Sequence, residues 1–275
     1  MKTNTLISVP FLILFLLSVF TAGAQKLKNV QQTSIKAPAN IKIDGRPTEW
    51  GANFQAYNHA TEVFYTIAND ANNLYLVVQA RDNIIINKIL FGGVTFAINN
   101  SGKKNDDQAS ITYPFYDKTT RPGINLKNEP QRSKDTVAYY MHVDSFMRAA
   151  NDTLNQRTKR IMVTGMPGVT DTVISIYNEY GLKAAAQFNG HLYYTLEMAI
   201  PLKYLGLKNE STSFGYHITL NGVVTKNSKV VLSTNGAMYM IKSNTDSYIV
   251  PASPQYMGYM FPTDFFGQYA IQNLG

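Results

Sequence analysis

Residues 61–82 read TEVFYTIANDANNLYLVVQARD, and this stretch decides the fold. Apolar and polar side chains alternate on both sides of residues 69–73, where Asn and Asp favour a turn because they tolerate left-handed backbone. The pattern predicts a β-hairpin with a five-residue loop between strands at 61–67 and 74–80. One face of the second strand carries Leu74, Leu76, Val78 and Ala80, and the other carries Tyr75, Val77, Gln79 and Arg81.

Short strands separated by turn signals continue along most of the chain. They are predicted at 94–98, 111–116, 173–177, 181–188, 192–200, 214–224, 230–232, 238–241 and 269–271. This spacing is typical of a β-sandwich, and the order strand, long helix, strand that marks a parallel α/β sheet is missing from the pattern. We therefore predict an all-β protein, an antiparallel two-sheet β-sandwich of the immunoglobulin or jelly-roll kind. A short helix or loop insertion is expected around 117–160, with the helix within 134–149.

The first residues have the pattern of a secretory signal peptide. A basic start precedes the apolar run LILFLL at 12–17, and Ala22-Gly23-Ala24 forms a small-x-small cleavage site. A membrane anchor is the alternative, but it needs about 20 apolar residues, and polar or small residues interrupt the run from Thr21 onward. We expect residues 1–24 to be removed, which places an exported protein in the periplasm or outside the cell with no transmembrane segment.

Composition excludes several classes of site and partner. The chain of 275 residues has no Cys, which rules out disulfides, thiolate zinc sites, iron–sulfur clusters and covalently attached c-type haem. Lys and Arg number 25 against 18 Asp and Glu, but the basic residues are scattered rather than gathered in the dense stripe of a nucleic-acid site. We predict no nucleic-acid partner, a polar leader at 25–40 and a single β-sandwich domain at 41–275.

The sequence lacks the motifs that mark common enzyme active sites. G-x-S-x-G, H-E-x-x-H and phosphate-binding loops are absent from it, so we predict a protein that is not an enzyme. Glu197 stands out because it lies inside an apolar strand. It is interpreted either as a structural carboxylate, hydrogen-bonded or facing outward, or as an acid, base or metal ligand.

Calcium is the metal that the sequence leaves open, because exported β-sandwiches often hold hard cations with carboxylate and carbonyl oxygens. Asp44, Asp70 and Asp82 lie at strand ends or turns, where oxygen ligands can converge, and Glu49 has a similar position. The three aspartates are the candidate calcium ligands. The alternative is that each of them forms a turn.

Five groups of short motifs together resemble the family 9 carbohydrate-binding modules and their DOMON-like relatives. The motifs are Ile43-Asp44-Gly45 with Glu49-Trp50, Asn69-Asp70 with 74–78 and Asp82, 197–202 with Leu205-Gly206, Phe214-Gly215-Tyr216, and 266–269. Their order and spacing match that superfamily across nearly the whole mature chain. The match is closest to secreted proteins of Bacteroidetes type in which this module is the only domain.

The resemblance implies an antiparallel β-sandwich that carries structural calcium. It also implies a protein that binds carbohydrate without catalysis and takes part in polysaccharide catabolism. It also implies a structural role for the motif residues Asp44, Gly45, Trp50, Glu197 and Pro201. Family members hold sugar between two tryptophan rings, whereas this chain has one Trp, so Tyr or Phe must supply the sugar-binding face. Candidates near loops are Tyr113, Phe115, Tyr116, Tyr139 and Tyr140, with Phe265 and Phe266 in similar positions.

Two alternatives to carbohydrate binding stay open. A DOMON-like domain can bind haem for redox work, with Met and His as axial ligands, and this chain has ten Met and four His. An envelope protein with a structural role would need no small ligand. An aromatic-lined groove with Asn and Gln around it would favour the carbohydrate-binding hypothesis.

Overall fold

The chain forms a mostly β structure of two packed, mainly antiparallel sheets, with 38% of residues in strands and 20% in helices. The computed structural model describes residues 26–51, 53–99, 109–117, 121–206, 213–224, 228–242 and 247–272. The high strand content and the packed sheets confirm the prediction of an all-β sandwich. The predicted signal peptide at 1–24 lies outside the described residues.

Strands and short helices alternate along the described residues. The strands are β1 (Ile35–Lys36), β2 (Ala56–Asn58), β3 (Val63–Asn69), β4 (Asn73–Ala80), β5 (Val94–Asn99), β6 (Ala109–Tyr113), β7 (Arg160–Thr164), β8 (Val173–Ser175), β9 (Lys183–Phe188), β10 (Tyr194–Pro201), β11 (Ser213–Leu220), β12 (Lys229–Leu232), β13 (Met238–Lys242), β14 (Ser247–Pro251) and β15 (Thr263–Ala270). The helices are α1 (Asn83–Gly92), α2 (Thr136–Arg157) and α3 (Pro254–Met260), with 3-10 turns at Leu126–Asn128 and Leu202–Tyr204. Across the part of the chain that the structure describes, no helix is both long enough and apolar enough to cross a membrane.

Two large sheets make the sandwich. Sheet A has the strand order β1-β3-β4-β10-β9, with β2 also paired to β3. Sheet B has the order β15-β11-β5-β6-β7-β8. A small third sheet, in the order β12-β13-β14, follows β11 in the chain. Apolar side chains from both large sheets form one continuous core between them.

The predicted hairpin is the centre of sheet A. Strands β3 and β4 pair from Val63 opposite Ala80 to Asn69 opposite Leu74. Because β3 ends at Asn69 and β4 begins at Asn73, three residues connect them rather than five. The predicted inward face of β4 lies in the core between the sheets. The opposite face is also buried, since Tyr75 and Val77 belong to a second apolar cluster that contains Trp50.

Residues 26–40 are part of the sandwich rather than a leader that precedes it. Strand β1 pairs in parallel with β3, and the buried Gln31 donates to and accepts from the backbone of Ile67. The backbone N–H of Gln31 also donates to the hydroxyl of Tyr65, at 2.8 Å. These polar residues complete the sheet edge, so the predicted domain start at residue 41 is too late.

The insertion predicted around 117–160 contains a helix that is longer than expected. Helix α2 has 22 residues. Asp135 caps its N-terminus, because the side chain of this residue accepts from the N–H of Ala138. Its buried residues are Val143, Ala150 and Leu154, and the amide of Asn151 bonds the backbone of Phe188 in β9. Few apolar positions anchor α2 to the sandwich, which explains why its helical pattern is weak in the sequence.

Candidate functional site

An open groove of about 570 Å³ lies between α1, α3 and the segment 124–131. We call it the aromatic groove. Its rings are Phe91, Tyr256 and Tyr259, and its polar side chains are Asn83, Asn87, Asn125, Lys127 and Gln131. It therefore combines aromatic faces with carboxamide groups at one exposed surface.

Helix α1 supplies one wall of the groove because of its periodicity. Asp82 caps the helix, and its carboxylate accepts from the N–H groups of the residues two and three positions later, at 2.7 and 3.3 Å. The residues that face the protein interior are Ile85, Ile86, Lys88, Ile89 and Leu90. The outward stripe is Asn83, Asn87 and Phe91, which recur every four residues and so share one helix face.

Helix α3 supplies the opposite wall by crossing α1 at Gly258. A Cβ atom at this glycine would lie 2.6 Å from Cγ2 of Ile84. The close approach lets Tyr259 stack on Phe91, with ring centroids 5.6 Å apart and an interplanar angle of 14°. Tyr256 is 5.6 Å from Tyr259, so the three rings form one continuous aromatic surface.

Replacing Gly258 by alanine should push α3 away from α1. Overpacking of this kind costs about 1–3 kcal/mol, of which better helix propensity recovers at most about 1 kcal/mol. We expect a net loss in the free energy of unfolding, measured with urea and circular dichroism. Gly123→Ala is the control, because an added Cβ there meets nothing within 4 Å, and equal stability of the two variants would contradict the close crossing.

A second cleft, of about 610 Å³, adjoins the aromatic groove and shares Asn83 and Gln131 with it. We call it the arginine cleft. Its charged and aromatic lining consists of Arg81, Glu129, Arg132, Tyr139, Tyr140, His191 and Tyr193. At the boundary of the two clefts, the side-chain amide of Asn83 donates to Oε2 of Glu129 at 2.6 Å.

The aromatic residues predicted for sugar binding divide into two sets. Tyr139 and Tyr140 line the arginine cleft, and Tyr140 is 63% exposed. Tyr113 and Tyr116 are buried, and the hydroxyl of Tyr113 donates to Thr158, so these two rings offer no face to a ligand. Phe115 is half-buried beside the guanidinium of Arg160 and lines neither cleft.

The two remaining aromatic candidates also lie outside both clefts. Phe265 is buried in the core between the sheets. Phe266 stacks on the ring of His217 with centroids 3.9 Å apart. The three rings that line the aromatic groove lie outside the strands predicted from the sequence, so the strand pattern does not indicate them.

Four of the five residues predicted to have a structural role, Asp44, Gly45, Trp50 and Glu197, form one hydrogen-bonded unit. Glu197 is fully buried, and its carboxylate accepts from the backbone N–H groups of Asp44 and Gly45 and from Nε1 of Trp50, at 3.0, 2.8 and 2.8 Å. Burial raises the pKa of Glu197 from 4.5 to about 7, against the opposing effect of these three donors. The unit ties the loop 44–50 to the outer face of sheet A, and Pro201 is the last residue of β10.

The three candidate calcium ligands do not come together. Asp70 accepts from Asn72, Asn73 and the hydroxyl of Tyr75, which makes it a turn residue. Asp82 lies beyond the opposite end of the eight-residue β4, roughly 25 Å away. Asp44 accepts from the N–H of Arg46. Within the described residues no group of three or more His, Asp or Glu side chains is arranged to hold a metal ion, and the three aspartates do not share one site.

The four histidines, which the haem alternative needs as ligands, lie on four separate segments. His59 follows β2, His142 lies in α2, His191 lies between β9 and β10, and His217 lies in β11. Nε2 of His217 is 2.8 Å from the carboxylate of Asp264. His191 is exposed and lines the arginine cleft.

Comparison with known proteins gives no match to this chain, either among family models or among curated proteins.

Proposed function

We propose that this protein is a non-catalytic carbohydrate-binding protein that holds an oligosaccharide along the aromatic groove and the adjoining arginine cleft. The observation that carries the proposal is the surface formed by Phe91, Tyr256 and Tyr259, which is bordered by carboxamide side chains. The signal-peptide pattern at 1–24 supports an exported protein that meets glycans in the periplasm or outside the cell.

The chemistry of a sugar ring fits this surface. Each pyranose has an apolar face of C–H groups, which an aromatic ring covers, and an edge of hydroxyls that need both donors and acceptors. A carboxamide offers both kinds of partner in one side chain. The amide of Asn87 makes no hydrogen bond to any residue that the structure describes, so its donors and its acceptor are available to a ligand.

The carboxylates support binding rather than hydrolysis. Glycoside hydrolysis usually needs two carboxyl groups about 5–9.5 Å apart across the scissile bond. Glu129 is the one carboxylate among the described residues that line the two clefts. Glu197 is fully buried under the loop 44–50 and lines neither of them.

The proposed affinity is modest. A surface of one phenylalanine and two tyrosines covers less of a sugar than a pair of tryptophans on both faces. We expect dissociation constants in the micromolar to millimolar range, about −8 to −4 kcal/mol.

The test is a broad glycan screen followed by calorimetric titration of the best oligosaccharide with wild-type protein and Tyr259→Ala. The variant should bind about fivefold more weakly or worse, because removal of a stacking ring costs on the order of 1 kcal/mol or more. Asn87→Ala should also weaken binding, and it tests the same groove with a residue on the outward stripe of α1.

The matched control is Tyr177→Ala, which removes a tyrosine that is 75% exposed and lies outside both clefts. This variant should bind like the wild type. Absence of binding to every glycan, or equal binding by wild type, Tyr259→Ala and Asn87→Ala, would refute the proposal. Melting curves of all variants establish that each protein tested is folded.

A further inference from the structure

Positive charge dominates the lining of the two clefts. The described lining residues include the cations Arg81, Lys127 and Arg132 and the single carboxylate Glu129. Each of the three cations has an exposed side chain. None of them forms an ion pair with a described residue.

The guanidinium of Arg81 is held in place by two aromatic rings and one hydrogen bond. The group lies 3.8 Å from the ring centroid of Phe64 and 4.8 Å from that of Tyr193. Its Nε donates to the side-chain oxygen of Gln79 at 2.9 Å, while its two terminal amino groups meet no acceptor among the described residues. A guanidinium fixed in this way binds carboxylate or sulfate oxygens through two parallel hydrogen bonds at little entropic cost.

Three acidic residues in or beside the clefts already have partners. Glu129 accepts from Asn83, Asp82 caps α1 and Asp135 caps α2. A carboxylate at a helix N-terminus is balanced by the positive end of the helix dipole. None of these three acids forms an ion pair with Arg81, Lys127 or Arg132.

We infer that the oligosaccharide is anionic, and that its carboxylate or sulfate groups lie on Arg81 and Arg132 while its rings extend over the tyrosines. This inference rests on the proposed function and names the class of glycan. A neutral sugar would offer the guanidinium groups only uncharged hydroxyl and ring oxygens as acceptors. An anionic sugar offers charged oxygens, which a guanidinium binds through two parallel, charge-assisted hydrogen bonds.

Matched ligand pairs test the inference by calorimetric titration. One pair is an oligogalacturonate and its methyl ester, and the other is a sulfated galactan oligosaccharide and its desulfated form. The acidic member of at least one pair should bind about tenfold or more tightly than its neutral partner, and added salt should weaken that advantage. A preference in the first pair identifies carboxylate as the recognised group, and a preference in the second identifies sulfate.

Arg81→Gln and Arg132→Gln should each weaken binding of the acidic ligand about tenfold and weaken binding of its neutral partner by a clearly smaller factor. Arg148→Gln is the control, since it removes the same charge from a side chain that is 74% exposed on α2 and lines neither cleft. It should bind both ligands like the wild type. Arg132 has no described partner, so Arg132→Gln should melt like the wild type even if loss of Arg81 disturbs its neighbours.

The outcomes separate this inference from the proposed function. Equal binding of acidic and neutral ligands, with dependence on Tyr259, would overturn the anionic inference and leave carbohydrate binding intact. An acidic preference that survives in both cleft variants would overturn the roles of Arg81 and Arg132. Failure of every glycan to bind would overturn both proposals.

Discussion

Replacing Leu196 by aspartate is expected to lower the free energy of unfolding by about 3–5 kcal/mol, because a charge would be buried without a partner. Leu196 is fully buried in β10, where it pairs with Val78 of β4 and Ala186 of β9. Its side chain faces the core between the two large sheets. Neither ionisation in that core nor protonation with an unsatisfied hydroxyl avoids the penalty.

Urea unfolding followed by circular dichroism measures this loss. Val231→Asp is the matched control, because it also places aspartate on an apolar strand position, but one that is 57% exposed on β12. The control should change stability by less than about 1 kcal/mol. If Leu196→Asp unfolded at the same urea concentration as the wild type, Leu196 would not face the core.

The same residues show why the centre of the fold could be predicted. Strands β4 and β10 alternate with a period of two over eight residues each, and this pattern alone assigns Leu76 and Leu196 to the inward face. The pattern does not assign the other face. Val77 faces outward by alternation, yet it is buried, because the chain before β2 folds over sheet A and places Trp50 there.

The candidate site was harder to predict because it forms between distant segments. Helix α1 reads NIIINKILFG, an apolar run whose length and composition suit a buried strand as well as a helix. Asp82 as a cap, followed by outward residues at Asn83 and Asn87, was the signal that could have identified the helix. Helix α3 has seven residues with an internal glycine, and nothing in its sequence indicates that Gly258 lies against Ile84.

Glu197 is expected to make stability fall as pH rises from about 4.5 to about 7. Its pKa is 4.5 in the ordinary, exposed state and is raised to about 7 in the folded protein by burial. Between these values the folded state binds a proton that the unfolded state has released, so raising the pH favours unfolding. The stabilising effect of the protonated form is complete below the lower pKa and is lost above the upper one, with a span of about 3 kcal/mol.

Glu197→Gln isolates this contribution from the other titrating groups, which both proteins share. The variant cannot ionise, and its amide cannot satisfy the site fully. Its carbonyl oxygen can accept from Asp44 and Gly45, but its amino group then faces the donor Nε1 of Trp50 at the 2.8 Å separation seen in the wild type. The variant should therefore be less stable than the wild type at pH 4.5, by about 1–3 kcal/mol.

The measured quantity is the free energy of unfolding of the wild type minus that of Glu197→Gln, at intervals from pH 4 to pH 8.5. We expect this difference to decrease by about 3 kcal/mol across the window and then to level off. A difference that increases with pH would mean that the three N–H donors outweigh burial and hold the pKa of Glu197 below its ordinary value. That result would reverse the assignment of cause.

Trp50→Phe provides the final check, since it removes one of the three donors and keeps an apolar ring in the cluster with Tyr75. Loss of the donor should raise the folded-state pKa of Glu197 further, because that hydrogen bond favours the charged carboxylate. The comparison in this background is between the single variant Trp50→Phe and the double variant that carries Trp50→Phe and Glu197→Gln together. The decrease in their stability difference should continue above pH 7, and a decrease that ended at the same pH as in the wild-type background would show that Trp50 does not act on the carboxylate.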